Sequence, residues 1–245
     1  MAWAFEELDY QKTPLGELVL RRRRSPSVPD TWVYEVKLGN ELLMSSTVNA
    51  SERALARLAL EGRGQRPCDV LVGGLGLGHT AVTALEYSSV RRLVVVEFLA
   101  PVIAWHRNRL VPMAGKLVDD PRCSIVEEDF FKHVGPGSSA QRERYDVILL
   151  DIDHSPESWL HARHADFYSA AGLRALADCL QPDGVFGLWS ASKPTAQFLE
   201  LLGRAFPALK SHKVSFFNPH VNETDSNWVV IAALEGDRPT GTTAR

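Results

Sequence analysis

Apolar and polar positions follow two different rhythms along the chain. Over the first 48 residues the rhythm is that of strands. Residues 16–23 form one run of strand formers. Trp32, Tyr34, Val36 and Leu38 then alternate onto one half-buried face, Gly39-Asn40 is a turn dipeptide, and residues 42–44 return. The stretch Arg24-Ser25-Pro26-Ser27-Val28-Pro29-Asp30 is a loop, its two prolines stopping pairing. From Asn49 the spacing lengthens. Ala54, Leu55 and Leu58 fall on one face of a helix over 50–61, with Ser51 as N-cap and Gly62 as stop. Beyond it, short apolar strands (69–73, 92–97, 123–126, 146–151, 185–189) alternate with helices (80–87, 101–109, 130–133, 167–180, 195–206).

Leu93-Val94-Val95-Val96 and Val147-Ile148-Leu149-Leu150 are apolar without interruption, as strands covered on both faces by helices must be. Repeated β-α units imply a parallel, doubly wound α/β sheet. Residues 213–218 and 227–233, joined through the polar Asn222-Glu223-Thr224-Asp225-Ser226, predict a terminal antiparallel hairpin with an antiparallel strand at the sheet edge. The expected divisions are a small N-terminal β unit over 1–48, a Rossmann-like domain over 49–235 and a flexible tail over 236–245.

Composition narrows the choice of partners. The 245 residues carry 27 basic and 30 acidic side chains, a net charge of −3, so no bulk attraction to nucleic acid is expected. Cys68, Cys123 and Cys179 are far apart and form no CxxC pair, which fits a reducing cytoplasm and neither a disulfide framework nor a zinc site. No apolar run approaches the ~20 residues of a membrane span, and residues 1–10 hold no basic stretch of a signal peptide. Arg21 to Arg24 sit on a strand, where alternate side chains face opposite ways, and read as a solvated strand end.

The chemistry concentrates in Asp69-Val70-Leu71-Val72-Gly73-Gly74-Leu75-Gly76-Leu77-Gly78-His79-Thr80, a buried strand running through a glycine-rich turn into a helix. Gly74, Gly76 and Gly78 permit positive φ and close ligand approach, and the helix start beyond offers free N–H groups. Glu97, at the end of the next strand, stands where an acid accepts hydrogen bonds from ribose hydroxyls. Gly76-x-Gly78-x-x-Ala81 fits the loose dinucleotide fingerprint, and Gly74-x-Gly76-x-Gly78 the loop of S-adenosylmethionine enzymes. The third strand ends in Glu127-Glu128-Asp129, which puts a carboxylate where an adenine amino group could be read, and this with the terminal hairpin favours the second reading.

Read together, these segments resemble the spermidine synthase family of polyamine aminopropyltransferases, over most of the chain. Val70–Gly78 resembles the family's strand and glycine loop, and Val94-Val95-Val96-Glu97 its strand with the ribose-binding acid. Glu128-Asp129-Phe130-Phe131 resembles the adenine-reading Asp. Tyr145–Asp151 resembles the strand into the gatekeeping loop, and Phe167-Tyr168 through Leu180-Gln181-Pro182-Asp183-Gly184-Val185-Phe186 the long helix and next strand. The resemblance implies an S-adenosylmethionine-methyltransferase-like Rossmann fold and a homodimer. It also implies aminopropyl transfer from decarboxylated S-adenosylmethionine to an amine. Leu77 departs from it, standing where the family's loop carries an Asp that grips the donor's amine. His154 stands where a second Asp is usual after Asp151, and the family's polyamine-contacting segment is not recognisable around Asn218-Pro219-His220.

Transfer from a sulfonium needs alignment more than covalent help. Asp151, at the C-terminal end of a central strand, is the first candidate to take the acceptor's proton, with Asp153 and His154 next. His161-x-x-His164 is a single pair, and no metal is expected. Trp189 is a rim or pocket-wall aromatic, with Trp105 and Trp159 as packing residues. Three readings stay open: aminopropyl transfer, methyl or related transfer from S-adenosylmethionine itself, and a non-catalytic nucleoside-binding or dimerisation protein.

Overall fold

The computed structural model describes residues 5–25, 28, 30–138, 141, 143–218 and 222–234. The expected turn residues Pro26, Ser27 and Pro29, the Pro219-His220 pair and the 236–245 tail lie outside the described residues.

Two sheets carry the fold. The first is antiparallel, with order β1 (Phe5–Thr13), β2 (Gly16–Arg24), β3 (Trp32–Leu38) and β4 (Glu41–Ser45). Its first strand is absent from the sequence reading, because Phe5–Thr13 is mostly exposed and shows no apolar alternation. The arginine run is an ion-paired ladder rather than a solvated end. Arg21 and Arg23, two residues apart on one face, both reach the buried Glu35 (2.7 and 2.8 Å). On the other face Arg22 pairs with Glu6 (2.7 Å), and Arg22 and Arg24 lie over Trp32. Arg21, Arg22 and Arg23 are thus each matched to a carboxylate, and Arg24 bonds the Asp30 carbonyl.

A helix, α1 (Ala50–Glu61), leads into the second sheet. Its elements are β5 (Cys68–Gly73), α2 (His79–Leu85), β6 (Val90–Glu97), α3 (Ala100–Arg107), α4 (Ala114–Val118), β7 (Cys123–Glu127), α5 (Phe130–His133), β8 (Tyr145–Leu150), α6 (Ala170–Asp178), β9 (Leu180–Ser190), α7 (Ala196–Ala205), β10 (Ala208–Asn218) and β11 (Glu223–Ala233). The order is β10-β11-β9-β8-β5-β6-β7, within which β9, β8, β5, β6 and β7 run parallel to one another. The hairpin differs from expectation in one respect. Its antiparallel member, β11, is inserted between β9 and β10, so the edge strand β10 runs with the parallel set. Glu223–Ser226, read as loop, are strand residues paired with Ser215–Asn218.

β5 is followed by strands on one side (β6, β7) and then by β8 on the other. The strand order reverses between β5 and β8, and a crevice opens there beyond the strand ends. One apolar cluster joins α1, α2 and α3 to Leu18, Leu20 and Val36 of the first sheet, so the two sheets share a core. Trp105 Nε1 on α3 donates to Asp9 Oδ2 on β1 (2.6 Å), pinning the same interface. The other cluster lies on the opposite face, beneath α5, α6 and α7.

Candidate active site

The ends of β5 and β8 meet closely. Asp151 N donates to Gly73 O (2.9 Å) and Gly74 N to Val96 O (3.0 Å). Gly74 has φ +95°, and a Cβ there would run into the backbone carbonyl of Asp151, so only glycine fits between the strands. Gly76 (φ +47°) faces the Met44 thioether of the first sheet, and Gly78 (φ +90°) starts α2. Leu75 and Leu77, between these glycines, are buried.

Glu97, at the end of β6, is bound to this loop. Its Oε2 accepts from Leu75 N (2.9 Å) and its Oε1 from Leu99 N (2.8 Å). Burial pushes its carboxyl up, and these amides oppose the rise by bonding the charged form. Asp129 caps α5, accepting from Phe131 N (3.0 Å) through Oδ1. A carboxylate accepts about four hydrogen bonds: the amides of Leu99, Leu75, Gly76 and Phe98 face Glu97, whereas Asp129 has acceptor positions beyond its Phe131 bond.

Glu97, Asp129, Gly74, Gly76 and Asp151 line one cleft of about 810 Å³. Its apolar walls come from Leu15, Leu18, Val36 and Met44 of the first sheet and from Ile152 and Leu160 of the segment after β8. A second cavity of about 700 Å³ shares Met44, Gly74, Gly76, Asp151, Ile152 and Leu160 with the first, and adds Glu52, Gly78, His79, Thr80, His154 and Trp189. The glycine loop and Asp151 therefore form the common wall of two adjoining spaces.

Asp151 Oδ2 accepts from Thr80 Oγ1 (2.7 Å). Burial raises its carboxyl, against the pull of that hydroxyl. Across the cavity Glu52, in the first turn of α1, is raised by burial and then by the charge of Asp151. Ser51 Oγ donates to Glu52 Oε2 (2.8 Å) and accepts from Trp189 Nε1 (2.9 Å), with Asn227 Oδ1 at 3.0 Å. Ser51 is thus an orienting hydroxyl and not the expected N-cap. Asn49 holds the cap position without a side-chain bond.

Asp153 and His154 fall elsewhere than expected. Asp153 is buried and lines neither space. Its carboxylate is taken up by Leu160 N (2.8 Å), His164 Nδ1 (2.8 Å) and Tyr168 Oη (3.0 Å), which makes it the anchor of the 152–168 segment. His154 stands at the rim of the second cavity, its Nε2 3.5 Å from Glu41 Oε1. His161 caps the following turn, while His164 turns to Asp153 and stacks on Phe131 with ring centroids 4.1 Å apart. Among the described residues no three potential metal ligands converge. Trp189 belongs to the pocket wall. Trp159 stacks on Tyr168 and Trp105 packs against the first sheet.

Sequence reading missed Glu52, Thr80 and Met44. Nothing in spacing links residue 52 or 80 to residue 151, and Ser51-Glu52 carries an ordinary helix-start signal. The packing of α1 on α2, the pairing of β8 with β5 and the contact between the two sheets bring them together.

The family model for the Spermine/spermidine synthase domain matches residues 49–200, more than half of the chain. The chain belongs to the spermine/spermidine synthase family. Polyamine aminopropyltransferase 2 of Pseudomonas aeruginosa is 30% identical over 159 residues, 61% of this chain and 42% of that protein. The chain spans about half the length of the curated relatives it matches first. Among solved structures, a spermidine synthase in complex with the transition state analogue AdoDATO aligns with a TM-score of 0.73 at 18% identity, over 96% of this chain and 81% of that one. Human methyltransferase-like protein 13 in complex with SAH aligns with a TM-score of 0.53 at 20% identity, over 78% and 82%. At these identities the structures establish the fold: an α/β, mostly parallel sheet of the spermidine synthase and methyltransferase-like Rossmann type. The matched residues fall in the α/β part of this chain, and Leu77 of its glycine loop is buried and lines the second cavity.

Proposed function

We propose that the protein transfers an aminopropyl group from decarboxylated S-adenosylmethionine to the amine of a small polyamine. The observation that carries this reading is the position of Asp151, on the wall common to the two spaces. Glu97 accepts from the donor's ribose hydroxyls and Asp129 from its adenine amino group, while Met44 and the other apolar walls exclude water. Asp151 orients the acceptor amine and takes its proton as the new carbon–nitrogen bond forms. The carbon–sulfur bond breaks with its electron pair on sulfur, and methylthioadenosine leaves as a neutral thioether. The raised carboxyl of Asp151 suits a proton acceptor near neutral pH. Gly74, Gly76 and Gly78 shape the loop that lets the donor lie against the backbone. His154, at the rim, is assigned to acceptor entry. Asp153 holds the covering segment.

The acidic second cavity favours a donor without a carboxylate over intact S-adenosylmethionine, because Glu52 and Asp151 repel an anion placed there. The reading extends to a homodimer in the cytoplasm. The exposed Phe5 and Tyr10 on the edge strand β1 and the three free cysteines support it. Among the described residues no helix is long and apolar enough to cross a membrane. The test is a transfer assay with both donors and a diamine, read by methylthioadenosine release. Turnover with the decarboxylated donor and loss of turnover in Asp151→Asn are expected. Methyl transfer from the intact donor, or an active Asp151→Asn, overturns it.

A further inference from the structure

The second cavity holds an electrostatic imbalance that its walls leave unresolved. Its acids are Glu52 on α1 and Asp151 after β8, and no lysine or arginine among the described residues lines it. His79, at the start of α2, is held neutral, since burial pushes its imidazole down to about 4. His154 at the rim faces Glu41. Arg53, one residue past Glu52, is turned to Glu86 (3.5 Å). The two carboxylates are instead positioned by neutral groups: Thr80 Oγ1 on Asp151 (2.7 Å) and the Trp189–Ser51 relay on Glu52 (2.9 and 2.8 Å). Each bond occupies one oxygen and leaves acceptor positions on the other.

Two half-buried acids that line one space repel each other when both are charged. A cation entering between them removes that conflict. Its size is bounded by the cavity, and its attachment by the wall shared with the nucleoside cleft. A primary ammonium at the end of a short alkyl chain meets both conditions: three N–H donors, a compact charge, and methylenes that lie along Met44, Ile152 and Leu160.

We propose that Glu52 binds an alkylammonium group of the ligand jointly with Asp151. The proposal rests on the nucleoside-site reading above and adds to it a residue in direct contact with the charged ligand. No carboxylate of the glycine loop itself is available for this task, because Leu75 and Leu77 occupy its buried positions. The same chemistry has two sources, the donor's aminopropyl tail and the amine acceptor.

Calorimetry on the whole chain tests this with three ligands: neutral methylthioadenosine, decarboxylated S-adenosylmethionine, and 1,4-diaminobutane titrated onto protein saturated with methylthioadenosine. Glu52→Gln keeps the shape and removes the charge. Its expected effect is a loss of about 10–100-fold in affinity for a cationic ligand, the worth of one charge-assisted hydrogen bond, with methylthioadenosine binding unchanged. Loss on the donor arm places the ammonium on the donor's tail, and loss on the diamine arm places it on the acceptor. Glu52→Asp should recover part of the affinity. Equal loss for methylthioadenosine, or no loss on either cationic arm, overturns the proposal while leaving the nucleoside site standing. Absence of methylthioadenosine binding to the unmodified protein overturns the nucleoside reading and this one with it.

Discussion

Glu97 and Asp151 both follow parallel strands at the same end of the sheet, and both line the same cleft. Their surroundings differ in kind. Glu97 is held by two backbone amides, from Leu75 and Leu99, that belong to the loops it joins. Asp151 is held by one side-chain hydroxyl and shares its space with a second acid, Glu52. Backbone donors cannot turn away, so the fold itself fixes the Glu97 carboxylate. The acidic end keeps unspent charge and is completed by what binds there. Under the proposed function, nucleoside binding and proton transfer would use two walls of one crevice with opposite electrostatic surroundings.

The largest effect that would sharpen this contrast is on turnover. Asp151→Asn keeps the Thr80 contact and loses proton uptake, so kcat for aminopropyl transfer should fall about 10²–10⁴-fold, with methylthioadenosine affinity unchanged in calorimetry. A parallel fall in affinity would erase the distinction between the two ends. Next comes Glu97→Ala, which strands two amides as well as removing the ligand contact. It should lower stability by about 1–3 kcal/mol in denaturant titration and weaken every adenosyl ligand. Retained affinity would show that the backbone-held acid does not face the ribose.

Glu52→Gln should have a smaller effect, and one that depends on pH. The carboxyls of Glu52 and Asp151 are raised in the folded state, so the native protein holds protons that the unfolded chain releases at ordinary carboxylate values. That contribution is present at acid pH and is lost as pH rises toward neutrality. Glu52→Gln should therefore raise the melting temperature at pH 8, by about 2–4 °C for each kcal/mol relieved, and leave it unchanged at pH 4. A stabilisation equal at both pH values would mean that charge is not the cause. His79 runs the opposite way. Its imidazole is lowered to about 4, so the unfolded chain binds the extra proton and stability falls as pH drops from about 6.5 toward 4. The smallest effect belongs to Asp129→Asn. Asparagine caps a helix as well as aspartate does, to within a few tenths of a kcal/mol, so only adenosyl affinity should weaken, by several-fold. A drop in melting temperature would show that the cap, and not the ligand contact, needs the charge.

Much of the nucleoside end was legible in the residues. The apolar run 93–96 ending in Glu97 and the glycine turn after 69–73 are local patterns, and each specifies its own backbone through burial or positive φ. Asp129 is likewise a local N-cap before Phe130. Asp153 shows the limit of such reading. Two residues from Asp151 it looks equivalent, yet His164 and Tyr168, 11 and 15 residues on, take up its carboxylate. The first strand was invisible because its apolar residues are few and mostly exposed, and its order comes from pairing with β2.

By itself the sequence determined the alternation of elements, the glycine loop and the acids at strand ends, since periodicity, chain reversal and capping act over a few residues. Only the tertiary structure decided which acids face one another. Glu52 and Asp151 meet because α1 packs against α2 while β8 pairs with β5, and Thr80 on α2 bridges to Asp151. Strand order and helix packing are set by burial summed over the whole core, and no single stretch of residues records that sum.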